Sequence, residues 1–315
     1  MESDSRDTRL LVILPALNEE PSILSTINAI KKVAPQANIV VIDNGSTDRT
    51  IQIAESIGVS VFREPQPGKG FAIRKGFLLV DDKYDFVFMV DADDTYGVEN
   101  LSRALDLIQD YGFDMVVGKR VGKKELGTIR KETYKKGHNI GNIALTAVAR
   151  LLHKVEIEDS LSGWRVMSRP FVKSFSGGAT GFEIEAELNA HAYVLSSAVA
   201  NIDVTYQGRK FDSHSKLNTY RDGFKILKIN LALFRDNRPQ YAFALFSLPW
   251  LLSSIFLIGR AWVGYINTGL VNQFPSLIAG IGSLTVAGLL LTSGLVLQRI
   301  KLTRVALIRF EYQRQ

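Results

Sequence analysis

The chain has no cysteine among its 315 residues, which excludes disulfides, thiolate chemistry and every metal site that needs a Cys ligand. Histidine is nearly as scarce: His138, His153, His191 and His214 are not spaced as metal ligands, and a polar surface role is the expectation for His138 and His214. The opening stretch, MESDSRDTRL, lacks the apolar core of a signal peptide, so the N-terminal part is expected to start in the cytoplasm. PGKGFAIRKG (67–76) resembles a phosphate loop. It fits neither G-x-G-x-x-G nor G-x-x-x-x-G-K-[ST] and does not follow the first strand, which argues against dinucleotide binding and P-loop chemistry. Neither sign of charge dominates, and the formal net charge of +6 suits anionic lipid, phosphate ligands or nucleic acid without choosing among them.

Two stretches lack charge altogether: YAFALFSLPWLLSSIFLIG (241–259) and FPSLIAGIGSLTVAGLLLTSGLVL (274–297). Each is near the ~20 residues needed to cross a bilayer as a helix, and two transmembrane spans are expected. Arg260 is placed to snorkel. Arg235 and Arg238 precede the first span, and Arg299, Lys301, Arg304, Arg309 and Arg314 follow the second, so positive-inside logic puts both ends of the hairpin in the cytoplasm. Just upstream, 219–236 is a basic amphipathic segment: Arg221, Lys225 and Lys228 share one face, and Phe224, Leu227, Leu231 and Phe234 supply apolar surface. Its pattern alone favours an ordinary surface helix; its position beside the spans favours an interface helix. The expected division is 1–218 as the catalytic domain, 219–238 as the interface helix, 239–298 as the membrane hairpin and 299–315 as a basic tail.

The first part alternates strand and helix signals. Apolar runs at Leu10–Leu14 (ended by Pro15), Ile39–Ile42, Val59–Phe62 and Phe86–Val90 alternate with helix-like segments near 21–33, 48–57, 69–80 and 98–111. Continuous apolar strands separated by helices predict an α/β fold, a mostly parallel sheet with helices on both faces. After 115 the pattern is less regular, with a strand at Met115–Val117 and a helix at 139–153. Open parallel sheets bind ligands beyond the carboxyl ends of their strands. That rule selects Pro15–Glu19, Asp43–Asp48 and Asp91–Asp94, all polar or acidic.

In VFMVDADDTYG (87–97), Asp91 and Asp93 alternate, so both carboxylates can converge on one hard cation, Mg²⁺ or Mn²⁺. The clustering of Asp91, Asp93 and Asp94 is tolerable if that metal supplies the positive charge. An EF-hand is excluded, since its sixth position would be Tyr96 and its twelfth Ser102. Asp94 or Thr95 is expected to cap the helix that follows. DNGSTD (43–48) reads equally as a turn with a helix cap, through Asn44-Gly45 and Ser46 or Asp48, or as a nucleotide-binding loop led by Asp43. Glu183 and Glu185 in GFEIEAE likewise divide two ways. On a strand or loop one of them orients a sugar; at a helix start both favour the dipole.

Taken together, ILPALNEE, VIDNGSTDRT, PGKGFAIRKGF, VDADDTY and GFEIEAE resemble inverting glycosyltransferases of family 2, with the Rossmann-like GT-A fold, over about residues 10 to 238. DSLSGWRVMSR and SHSKLNTYRDG are similar to later motifs of the polyprenyl-phosphate group that includes dolichol-phosphate mannose synthases. The resemblance implies that Pro15, Leu17, Glu19 and Lys69 lie along the nucleotide, with Asp43 at its base-ribose end. It makes Asp93 the principal metal ligand with Asp91 beside it, and puts the third ligand position near Thr95. Arg120, Lys135 and Lys136 match the acceptor-phosphate region, with Arg130 nearby, and Arg209 and Lys216 match the diphosphate-closing loop. Leu17 stands where many relatives have an aromatic, and Asn44 where they have an acid, which weakens any inference about the base.

The expected partners are a nucleotide-sugar donor (UDP- favoured over GDP-), a polyprenyl phosphate acceptor such as undecaprenyl or dolichyl phosphate, and the bilayer. Nucleic acid is not expected, and a homo-oligomer is left open. A phosphate monoester is already anionic at neutral pH, so such an acceptor needs cationic guidance rather than a general base. Two alternatives stand beside this reading. One is a processive polysaccharide synthase, whose Q-x-x-R-W motif is not visible, Trp164 lying in SGWRV. The other is a catalytically silent membrane-anchored scaffold.

Overall fold

The computed structural model describes residues 9–122, 157–207, 235 and 238–314. The expected helix at 139–153 and nearly all of the amphipathic segment at 219–236 lie outside the described residues. The chain divides into two compact units: Met1–Leu227 with Ile308–Gln315, and Lys228–Leu307.

The first unit opens with strand–helix alternation: β1 (Leu10–Ala16), α1 (Ile23–Val33), β2 (Asn38–Asp43), α2 (Thr50–Ser56), β3 (Ser60–Arg63), α3 (Lys69–Phe77), β4 (Phe86–Met89), α4 (Leu101–Gln109) and β5 (Met115–Gly122). It continues with β6 (Arg165–Ser168), α5 (Arg169–Lys173), α6 (Ile184–Leu195) and β7 (Val199–Tyr206). The seven strands form one sheet in the order β3-β2-β1-β4-β6-β5-β7. All pairings are parallel except those of β6, which runs against β4 and β5. The mostly parallel sheet matches expectation; β6 and β7 had not been anticipated. RVMS, at four residues, is too short to show a period.

Alternation along the strands builds two cores. Leu10, Val12 and Leu14 of β1 join Ile23, Ile27 and Ile30 of α1 and Leu101, Leu105 and Ile108 of α4 on one face. Leu11 and Ile13 join Ile73 and Phe77 of α3 and Ile184 and Leu188 of α6 on the other. The apolar positions of α1, spaced four and then three residues apart, give one buried stripe on a helix of 3.6 residues per turn. His191 of α6 is also interior. It lies edge-on to Phe171 and Phe175, with Ser174 Oγ 3.0 Å from its Nε2, and burial pushes its imidazole down to about 4.

In the second unit, α7 (Pro239–Thr268) and most of α8 (Phe274–Arg314) are both long and apolar enough to cross a membrane by length and composition. Large apolar side chains point outward along them, Leu252, Ile255, Phe256 and Leu289 among them, unlike those of a soluble core helix. What is buried is small: Ala242, Ser247, Ser254 and Ala261 on α7, and Gly280, Ser283, Ala287 and Gly294 on α8. A Cβ at Gly280 would meet Ile258 Cγ1 at 2.6 Å, so the backbones approach closely, as apolar helices do where packing rather than water expulsion holds them. Helix α8 runs on through the residues expected as the tail. Its end belongs to the first unit, where Arg309 donates to Val194 O and Ser196 Oγ.

Candidate active site

β2, β1 and β4 are adjacent and parallel, so the loops after their carboxyl ends emerge side by side. Those are the three loops selected from the sequence. After β1, Pro15 still pairs in register with Ile42, and Leu17 and Glu19 follow, both half-buried. Asn18 adopts φ 53° and receives the Thr47 backbone N–H on its side-chain oxygen at 2.7 Å, while Glu19 N donates to Thr50 Oγ1 at 2.9 Å. The β1 and β2 loops are thus bonded to each other.

Asp43, at the end of β2, is buried, and its carboxylate accepts the backbone N–H groups of Gly45 and Ser46 at 3.2 and 3.0 Å. Its visible work is to close its own turn. Asn44 reaches further: its amide donates to Glu64 O and Gln66 O and accepts from Gly68 N at 2.6 Å. That side chain ties the loop after β3 to the end of β2. Gly68 has φ +136°, and any Cβ there would collide with Thr180 O, so only glycine admits this approach of the 179–180 backbone.

Lys69 begins α3 directly after Gly68. Its ammonium lies 2.6 Å from Asp91 Oδ1 and 2.7 Å from Glu185 Oε1. Burial pulls the lysine down, but the two carboxylates outweigh it, and the ammonium is held well above the ordinary lysine range. The expectation that only a metal relieves the acidic cluster is therefore corrected: the chain brings its own cation to Asp91 from a helix 22 positions earlier. Glu185 is buried, and among the described residues its Oε2 has no hydrogen-bond partner. Phe182, exposed, has its ring 5.7 Å from Lys69 Nζ.

Asp93 Oδ1 accepts from the backbone N–H and hydroxyl of Thr95. Neither Asp94 nor Thr95 caps a helix, contrary to expectation. Asp94 has φ 56°, and α4 starts only at Leu101, after Asn100. The competing force is strand pairing: Gln207 N donates to Thr95 O, Gly97 N to Thr205 O, and Tyr96 bridges Tyr206 at the end of β7. This pairing holds 95–97 extended. Thr26 Oγ1 of α1 also donates to Ala92 O at 3.2 Å, pinning the loop from the other side.

The segment before β6 closes the site. Gly163 N donates to Tyr96 Oη at 3.0 Å, and a Cβ at Gly163 would come 2.5 Å from Asp91 Oδ2. Arg165, fully buried, donates to Ser162 O, Ser160 O and Asn189 Oδ1, and burial lowers its guanidinium to about 10. Arg120 of β5 grips Asp159 with two bonds of 2.6 and 2.7 Å and lies 5.4 Å from the Tyr206 ring. Its Nε and Nη2 are thereby occupied. Arg130, Lys135, Lys136, Arg209 and Lys216 lie outside the described residues.

Glu183 and Glu185 stand at the start of α6, which decides between the two readings of GFEIEAE. They do different things. Glu183 accepts from Thr180 N and Gly181 N at 2.9 Å; burial raises its carboxyl, but these backbone bonds prevail and hold it below the usual range. Glu185 faces Lys69. Sequence reasoning had not picked out Asn44 as a tether, or Tyr96, Asp159, Phe182 and Arg165. Asp159 and Arg165 were visible only as the ends of DSLSGWR.

A family model described as glycosyl transferase family 2 matches residues 11–168, half of the chain. The chain belongs to this family. Among curated relatives, a dolichyl-phosphate hexose transferase of Haloferax volcanii is 31% identical over 220 residues, covering 70% of this chain and 91% of its own. The low-salt glycan biosynthesis hexosyltransferase Agl6 of the same organism is 29% identical over 290 residues, 91% of this chain and 67% of its own. Glucosyl-3-phosphoglycerate synthase of Mycobacterium tuberculosis, solved with Mn²⁺ and UDP-glucose, superposes with a TM-score of 0.52 at 22% identity, over 70% of this chain and 78% of that one. That likeness shows the GT-A fold. The protein is a family 2 glycosyltransferase, and the cluster around Asp91 is its candidate active site.

Among the described residues no group of three His, Asp or Glu could cage a metal. Two aspartates offering oxygen ligands suit a Mg²⁺ or Mn²⁺ ion that completes its shell with water and substrate phosphate. Asp91 is 27% exposed and so remains reachable.

Proposed function

We propose that this family 2 enzyme transfers a hexose, with inversion, from a nucleotide-sugar donor to a polyprenyl phosphate at a membrane surface. The observation that carries the reading is the meeting of Asp91, Lys69 and Glu185 where the β1, β2 and β4 loops emerge. The hexose transferase relative, named for a dolichyl phosphate, supports the lipid acceptor. The pair α7 and α8 fits an enzyme whose acceptor never leaves the bilayer.

In this reading Asp43 and the segment Pro15–Glu19 line the nucleotide, and Asp91 and Asp93 hold a divalent cation, Mg²⁺ or Mn²⁺. When bound, that ion stabilises the negative charge that grows on the departing nucleoside diphosphate. Lys69 adds a second cation beside the diphosphate. The exposed Phe182 faces the transferred sugar, and Glu185 stands behind Lys69. An anionic acceptor phosphate attacks without a general base, guided by the basic groups between Arg120 and Lys136 and by Arg209 and Lys216. In this reading the N-terminal domain and the C-terminus are cytoplasmic, which the basic residues flanking the two spans support.

The experiment is direct. Purified full-length protein is incubated with a panel of UDP- and GDP-sugars and polyprenyl phosphate, and the lipid product is identified by mass. One sugar per lipid is the expected result, with UDP-glucose or UDP-N-acetylglucosamine the favoured donors. A growing polysaccharide would instead support the processive reading, and no product with any donor would support the silent scaffold.

A further inference from the structure

Two carboxylates share one ammonium here, and the arrangement is unequal. Asp91 is 27% exposed and lies in the loop proposed to take the metal, whereas Glu185 is 4% exposed and rooted in the first turn of α6. Among the described residues Glu185 Oε2 has no hydrogen-bond partner, so moving Lys69 away entirely would leave a buried carboxylate with no hydrogen-bonded cation, Arg165 acting on it only through space. Lys69 itself starts a helix after a glycine and carries its charge on a flexible four-carbon stem. It can therefore leave Asp91 and remain on Glu185.

We infer that Lys69 is a resident counter-cation: it occupies Asp91 in the free enzyme and withholds that carboxylate from a divalent ion until a nucleotide diphosphate arrives. The inference rests on the reading of Asp91 and Asp93 as metal ligands and adds an order to it. A divalent ion approaching alone meets an ammonium 2.6 Å from the oxygen it needs, and like charges repel strongly at such range in a partly buried site. A diphosphate changes both terms, offering Lys69 an anion to turn to and the metal further oxygen ligands. Glu185 is a positioning residue in this scheme, keeping the ammonium within reach of the phosphates throughout.

The test measures Mn²⁺ affinity of the full-length protein by the electron paramagnetic resonance signal of free Mn²⁺, with and without UDP or GDP. Wild type should bind Mn²⁺ weakly alone and more tightly with whichever nucleotide it accepts. The double variant Lys69→Met/Glu185→Gln removes the ammonium and one carboxylate together and leaves net charge unchanged. It should bind Mn²⁺ alone about tenfold more tightly than wild type, with the nucleotide effect reduced to match. Lys69→Gln, which keeps a polar donor in the pocket, should move the same way and serves if the double variant melts early. Wild-type affinity for free Mn²⁺ in the folded variants overturns the inference. Asp93→Asn separates the two levels: if it leaves nucleotide-supported Mn²⁺ binding intact, the metal assignment itself falls. If it abolishes that binding while the Lys69 variants match wild type, the withheld Asp91 alone is wrong.

Discussion

The loops after β2 and β4 begin alike, each with an aspartate at the end of a buried parallel strand, yet they satisfy that aspartate by opposite means. Asp43 accepts the backbone N–H groups of Gly45 and Ser46 in its own turn. Asp91 turns instead to Lys69 and, through it, to Glu185. A local solution closes a carboxylate off; a remote one leaves it exchangeable. The remote solution is the costlier to build, because an ion pair loses most of its hydration when buried and must be held by several elements at once. Here those elements are α3, α6 and the extended stretch 95–97 paired to the end of β7.

The sharpest way to break this comparison is through activity. Asp93→Asn should lower sugar transfer about a thousandfold with an unchanged circular dichroism spectrum, because charge stabilisation of the leaving group is lost. A mild loss would place the β4 loop with the β2 loop, as structure alone. Next in size is Lys69→Met, which strands Glu185 and should cost about 3–5 kcal/mol in denaturant melts of the full chain in detergent. Restoring stability with Glu185→Gln in the same chain would show that the burden is the unpaired carboxylate.

His191, on the same helix as Glu185 but with no anionic partner among the described residues, supplies a control with a defined sign. Its folded-state value, lowered to about 4, lies below the ordinary 6.5, so the unfolded chain binds the extra proton first. Its contribution is intact above about pH 6.5 and erodes by about 3 kcal/mol as pH falls to 4. His191→Gln should flatten that part of the pH–stability curve. Asn44→Ala removes three bonds that join the β2 and β3 loops and should cost about 2 kcal/mol, read as a shift in the melt. Asp43→Ala, which frees two backbone N–H groups near a surface turn, should cost least, about 1 kcal/mol. An Asp43→Ala chain that is as stable as wild type but fails to bind nucleotide would shift Asp43 from turn closure to ligand recognition.

Much of this was readable along the chain because it is local. The apolar runs at 10–14, 39–42 and 86–90 carry their strand character in a few residues, and two charge-free stretches declare long apolar helices by composition. Periodicity failed where a distant partner competed. Thr95 looks like a helix cap until β7, more than 100 positions later, pairs with its neighbourhood. RVMS becomes a strand because β4 and β5 flank it and it pairs antiparallel with both.

The site divides the same way. The acidic cluster, the glycine-flanked lysine and the paired glutamates are features of sequence, since spacing and residue type alone mark them as unusual. Which carboxylate meets which cation is a matter of tertiary structure. Lys69, Asp91 and Glu185 belong to three segments, and no propensity within any one of them encodes a contact across the other two. The sequence by itself determined the family, the layered α/β plan and the two apolar helices, all of which rest on patterns contiguous along the chain. Folding alone decided that Asp43 turns inward, that Asp91 is neutralised by a lysine and that Glu185 stands behind it, because electrostatic partners are chosen by proximity in space.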